Sequence, residues 1–227
     1  MNSLVAWIRQ RLLADSPATA SEALRAALLE QDRLTRDTHH QVQNSLQIVA
    51  SMIALQAHDS ETPEIRQAYA VIQAQIQTLT LAQRWMRDEG QAVLDLAGLL
   101  TELCAGLEAS LVSARHPRVR ISCAVPAIAL HRDHATPAAF LVTELGIIAA
   151  AHSPPGVLEL AVTATAAADR IAISMACAGF AAIDVVTAGN RQSAPRIILA
   201  MARQLGGSVQ HDAVNGSYSV GFAASPA

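Results

Sequence analysis

Two adjacent histidines stand at the centre of Asp37-Thr38-His39-His40-Gln41-Val42-Gln43-Asn44-Ser45-Leu46-Gln47, a segment that otherwise reads as ordinary helix. Downstream, Val42, Leu46, Val49 and Ile53 recur at spacings of four and three, the pattern of a helix face packed on a neighbour. Carried backward, that stripe puts His39 at its rim. His40, about 100° further round the helix, points to solvent or to a docking partner. An imidazole so placed suits nucleophilic chemistry, because a phosphoacceptor ring needs one nitrogen open to in-line approach. Asp37, one turn back, is placed to accept a hydrogen bond from the other nitrogen and fix the tautomer. The same spacing also fits a pair of plain surface histidines, and periodicity does not separate the two readings.

The elements that must hold this segment are helical. Glycine is absent before Gly90, and the first half is rich in Ala, Leu, Gln, Arg and Glu, which predicts an α-helical module. Ser16-Pro17 interrupts the opening stretch, and a second helix is expected from about Ser21. Ile48, Met52 and Leu55 form another stripe beside the first, so this helix faces two neighbours, with Met52 and Ile53 expected in a bundle core. The polar run His58 to Pro63 predicts a turn, with Pro63 in the first turn of a returning helix and Glu64 near its positive end. That helix carries Ile65, Tyr69, Ile72, Ile76, Leu79 and Met86 and ends before Gly90, with Trp85 and Met86 again read as bundle core. A hairpin with so wide an apolar surface cannot cover it alone, and two copies forming a four-helix bundle is the natural solution.

Beyond Gly90 the pattern changes to alternating helix and strand signals. Helices are expected at Val93–Leu111, Pro137–His152 and Ala194–Leu205. Strands are expected at Arg118–Val125, Ala127–Leu130, Val157–Thr165, Arg170–Cys177, Ser208–Asp212 and Tyr218–Phe222, the last two closing a hairpin around Asn215-Gly216. The fold class is α+β: an N-terminal antiparallel helical hairpin forming a dimeric four-helix bundle, then an α/β two-layer sandwich with a mainly antiparallel or mixed sheet. The expected division is a helical extension over 1–32, the hairpin over 33–90 and the sandwich over 91–227.

Composition narrows the function classes. Of 227 residues 52% are apolar and only 15% charged, with a net charge of -3, so a sizeable core is available and no basic field exists to hold a nucleic-acid backbone. Met1–Leu13 carries Arg9 and Arg11 and lacks a long apolar core and a cleavage site, so a signal peptide is not expected. No run of about eighteen uncharged apolar residues occurs, and the expectation is a cytoplasmic chain without membrane insertion. Cys104, Cys123 and Cys177 form no Cys-x-x-Cys pair and read as buried reduced thiols. His131, Asp133 and His134 have a spacing open to metal, but they fall at a strand-to-helix junction where Asp133 is the expected N-cap. Gly206-Gly207 follows a helix and reads as a turn rather than a phosphate loop.

The histidine segment resembles the HHRVKNNLQ-type dimerisation and phosphotransfer helix of sensor histidine kinases, and the likeness continues through Ile48-Val49-Ala50-Ser51-Met52-Ile53-Ala54-Leu55-Gln56-Ala57. The resemblance implies that His40 is the phosphorylated residue. It also places Asn44 where those kinases keep a Thr or Asn that helps water attack the phosphohistidine or the partner acyl phosphate. Gln41, Gln43 and Ser45 replace the family's Arg, Lys and second Asn, which removes two cations that would stabilise transferring phosphoryl oxygens.

A fainter resemblance to the ATP-binding module of the same kinases runs to the end of the chain. The family's E-L-V-T-N-A-x-K-H motif stands here as Glu144-Leu145-Gly146-Ile147-Ile148-Ala149-Ala150-Ala151-His152, with Ile148 in place of the Mg²⁺-binding Asn. The D-x-G-x-G motif aligns with Ala176-Cys177-Ala178-Gly179-Phe180, without the adenine-reading Asp. Pro195 replaces a glycine that lets backbone approach phosphates. Packing residues and ligand residues are different sets, so a fold can outlast its site. The resemblance thus implies a homodimeric histidine phosphotransferase that exchanges phosphoryl groups with response-regulator receiver domains through His40, with Asp37 and Asn44 assisting. On this reading no ATP is bound, the receiver supplies Mg²⁺, and Glu144 is a vestigial carboxylate. The receiver's expected docking surface is an exposed patch around Val42, Leu46, Gln83 and Met86. An active histidine kinase and a non-catalytic dimeric scaffold are the alternatives.

Overall fold

The structure, a computed structural model, describes residues 25–26, 29–30, 33, 42, 44–53, 55–56, 62–86, 92–113, 115–182, 184 and 193–224. By its internal contacts the chain divides into Met1–Ser45 and Leu46–Ala227. In the first unit the described residues are helical, and Arg33 pairs with Glu30 one turn away.

The second unit is built on a five-stranded mixed sheet. Helix α1 (Asn44–Ile53) enters it, followed by α2 (Pro63–Trp85), β1 (Val93–Asp95), α3 (Leu96–Leu111), β2 (Arg118–Ala124) and β3 (Ala129–His131). Then come α4 (Ala135–His152), β4 (Val157–Ala167), β5 (Arg170–Ala176), α5 (Ser193–Gln204), β6 (Ser208–Asp212) and β7 (Ser217–Ala223). Strand order is β2-β4-β5-β7-β6, with β2 and β4 parallel and the other pairs antiparallel. Alternate residues Leu158, Leu160 and Val162 of β4, Ile171, Ile173 and Met175 of β5, and Tyr218, Val220 and Phe222 of β7 are buried. This period of two is that of a sheet covered on one face.

The expected helix at Val93–Leu111 is shorter and begins with a strand. The Asp95 carboxylate accepts from the backbone N–H groups of Ala97 and Gly98 at 3.1 and 3.0 Å, which starts α3 at Leu96. Upstream, Val93–Asp95 pairs antiparallel with Ala129–His131. Asp133 is not the cap of the next turn either: the His131 ring nitrogen accepts from the Asp133 N–H, and the Asp133 side chain is exposed. The turn at Gly206-Gly207 is as expected, since Gly206 takes φ +69° and Gly207 donates to the Ala202 carbonyl, closing the end of α5.

Helix α2 opens with Pro63 in its first turn and buries Ala74, Thr78 and Ala82, a stripe of small residues at a spacing of four. Small residues allow close approach, and α4 lies against them. Three contacts set the antiparallel register: Met86 with Thr136, Thr78 with Thr143, and Gln75 with Glu144. At the end of α2, Arg84 and the Trp85 indole both bond Glu102 of α3, and the Trp85 ring occupies the space where a side chain on residue 98 would begin. Trp85 and Met86 therefore pack on the sandwich, not in a bundle core. Met52 is 61% exposed, because nothing among the described residues covers that side of α1.

Among the described residues one helical stretch, Arg132–His152, is long and apolar enough to cross a membrane. Its apolar surface is taken up by the sheet, α2, α3 and α5, and Leu141, Val142 and Ala149 have no exposure.

Candidate functional site

Asp37 and His40 lie outside the described residues. Asn44 is helical and exposed. Val42 is exposed and Leu46, Gln83 and Met86 are half-buried; the first three are helical, and Met86 is the C-cap of α2. Ser51, one turn beyond Gln47, bonds back to the Gln47 carbonyl.

The second group lies on α4. Glu144 is fully buried. One carboxylate oxygen accepts from Gln75 Nε2 at 2.6 Å, and the other has no hydrogen-bond partner among the described residues. Burial pushes its carboxyl above the ordinary value, partly opposed by the Gln75 hydrogen bond. Beside it the Thr78 and Thr143 hydroxyls bond at 2.7 Å. Four residues on, Ile148 is 3% exposed and belongs to the core.

The segment after β5 packs directly on the end of α4. Ser153 Oγ and Cys177 Sγ are 3.1 Å apart. A Cβ on Gly179 would stand 2.8 Å from the Ser153 nitrogen and 3.1 Å from the Ala149 carbonyl. Phe180 is fully buried edge-on against Tyr218, and its carbonyl is 2.8 Å from His211 Nε2. Pro195, in the first turn of α5, is buried as well. Of the positions that the sequence resemblance assigns to ligand contacts, Ile148, Phe180 and Pro195 are buried in packing, Ala176 is half-buried and Ala178 is exposed.

At the junction before α4, His134 is buried with Nδ1 unpartnered and its ring edge-on to Phe222. Burial lowers its pKa, the neighbouring His131 adds to this, and Asp133 opposes it. Among the described residues no group of His, Cys, Asp and Glu is arranged to hold a metal ion. Cys104 and Cys177 are buried free thiols and Cys123 is half-buried. The Gln75–Glu144 and Thr78–Thr143 contacts were not signalled by the apolar periodicity; the one local trace was the small-residue stripe of α2.

Residues 37–111 match the HisKA_2 family, described as histidine kinase. No curated protein matches the sequence. Solved structures with a similar fold include two of one bacterial protein. The histidine kinase domain of the Erythrobacter litoralis EL346 blue-light activated histidine kinase aligns with TM-score 0.55 and 16% identity, over 86% of this chain and 93% of that one. The longer EL346 protein aligns with TM-score 0.56 and 15% identity, over 85% of this chain and 63% of that one. Residues 37–111 are thus similar to the HisKA_2 family, on a fold like that of the EL346 histidine kinase domain.

Proposed function

We propose that this chain is a cytoplasmic, homodimeric histidine phosphotransferase of a two-component relay, working without ATP. A ring nitrogen of His40 attacks the phosphorus of a receiver's aspartyl phosphate. The N–P bond forms as the acyl P–O bond breaks, and the receiver keeps a free carboxylate. A second receiver's aspartate reverses the exchange. Such swaps need positioning more than catalytic power, and the receiver brings its own Mg²⁺. Asp37 orients the imidazole, and Asn44 stands where it can direct water or the acyl phosphate.

The observation that carries the reading is the buried face of α4. A nucleotide with Mg²⁺ does not fit the residues present: Ile148 offers a hydrocarbon where a metal ligand is needed, Glu144 is sealed by Gln75, and Phe180 and Pro195 are packed away from any phosphate. The dimer is supported by the apolar side chains left in solvent on α1 and α2, Ile48, Met52, Ile65 and Ile72, and by Leu55 between them, which a second hairpin would cover. The family match favours one rival, a working kinase.

The test incubates the full chain with phosphorylated receivers, and separately with Mg²⁺ and radiolabelled ATP. Acid-labile phosphate on His40 from a receiver, lost by about 100-fold or more in His40→Gln, is the expected result. Labelling of His40 from ATP alone would establish the kinase instead. Full relay output from His40→Gln would leave the scaffold.

A further inference from the structure

A cavity of about 480 Å³ opens between the first half of α2, the end of α3 with the loop after it, and the last turns of α4. It lies within the roughly 300–1,000 Å³ typical of small-molecule sites. Its floor is hydrocarbon, from Ala70, Val71 and Ala74 of α2 and Ile147 and Ala150 of α4. The charged residues on its walls are cationic, Arg66 on α2 and Arg115 on the loop, and no Asp or Glu lines it. In a chain with more acidic than basic residues, that local imbalance is informative. No side-chain partner of Arg66 is found among the described residues.

The loop wall is fixed in advance. Arg115 donates one guanidinium N–H to the Ser153 carbonyl at 2.8 Å, leaving its other donors free, and the buried His116 ring places Nε2 2.8 Å from the Ala150 carbonyl. The Ser113 and His116 backbones also bond each other. A site whose walls are already tied down loses little freedom on binding, which favours a small ligand.

We propose that this cavity is a binding site for a small amphiphilic anion, an apolar chain ending in a carboxylate, with the chain on the Ala70–Ala74–Ile147 floor and the head group between Arg66 and Arg115. The charge pattern selects against cations, and the aliphatic floor against fully hydrated anions such as free phosphate. None of the residues that line it belongs to the histidine segment, and the proposal does not depend on the function proposed above. Because α2 and α4 both line it, a bound ligand would strengthen the contact between them.

The probe is decanoate, with decanol as its uncharged counterpart, titrated into the full chain by calorimetry and by ligand-observed NMR. Decanoate is expected to bind at least about tenfold more tightly than decanol, the equivalent of one charge-assisted contact. Arg66→Gln with Arg115→Gln should remove that advantage and leave decanol unchanged. Ala70→Trp, at an exposed position where the added ring enters the cavity and folding is not at risk, should abolish binding of both. Equal binding of the two probes, or binding that survives Ala70→Trp, would place them on the open apolar helices and overturn the proposal. Absence of decanoate binding up to millimolar concentration, or its displacement by a receiver domain, would overturn it equally.

Discussion

The hairpin helices and the sandwich carry apolar stripes of similar strength in the sequence, yet the single chain treats them oppositely. Leu141 and Val142 of α4 have no exposure, whereas Met52 of α1 and Leu55 beyond it are 61% and 66% exposed and Ile72 of α2 is 41% exposed. Helix α2 belongs to both regions. Its small-residue face at Ala74, Thr78 and Ala82 is taken by α4, and its isoleucine face at Ile65 and Ile72 is left open. Burial is thus a property of what lies opposite, not of the stripe. Each large aliphatic side chain left in water forgoes roughly 1.5–3 kcal/mol, so several in a row make a second copy the economical cover.

The strongest way to break this contrast is to charge the open face. Met52→Asp combined with Ile72→Asp should convert the dimer proposed above to a monomer at micromolar concentration by sedimentation equilibrium, with the sandwich's circular dichroism intact. A wild-type chain that sediments as a monomer would remove the contrast altogether. Next in size is the anchor between the regions. Trp85→Ala removes the ring over Gly98 and the indole bond to Glu102, and should lower unfolding free energy by about 2–3 kcal/mol in urea titration, somewhat less than a fully buried Trp would cost.

A smaller effect is expected at Glu144, where burial raises the folded carboxyl above the usual 4.5. The folded state then holds the proton more tightly than the unfolded chain. Its stabilising contribution is full below about pH 4.5 and is lost as pH rises through the folded value. Glu144→Gln stays neutral and can still accept from Gln75, so its stability in urea titrations should gain on that of the wild type as pH rises from about 4 to about 8. A constant difference across pH would mean that burial does not raise the Glu144 pKa.

His134 has the opposite sign and the smallest effect. Burial lowers its folded value from 6.5, so its contribution is present above about pH 6.5 and is lost as pH falls toward the folded value. His134→Phe keeps an aromatic ring against Phe222 and cannot titrate. Its melting temperature should therefore fall less than that of the wild type between pH 6.5 and 5, by roughly 2–4 °C for each kcal/mol involved.

Much of the sandwich was legible from local signals. Strand alternation at Val157–Ala167 and Arg170–Ala176, Pro63 at a helix start and the Gly206 turn are each fixed by neighbours along the chain. Misreadings fell where a side chain chose between local partners. Asp95 caps α3 and frees Val93 to pair as a strand, and His131 takes the acceptor role expected of Asp133. His40 stands out in the sequence by chemical type rather than by packing, and it lies outside the described residues. The placement of Trp85 and Met86 was not legible, because an apolar residue at a helix end carries no mark of which neighbour it will meet.

The sequence by itself determined most helices and strands of the sandwich, because periodicity, caps and turn residues act over a few positions. Only the tertiary structure decided which face of α2 is spent on α4 and that Glu144 is closed over by Gln75, a pairing across 69 positions. The physical reason is that burial and desolvation depend on the element brought opposite, and that element is chosen by packing of the whole domain.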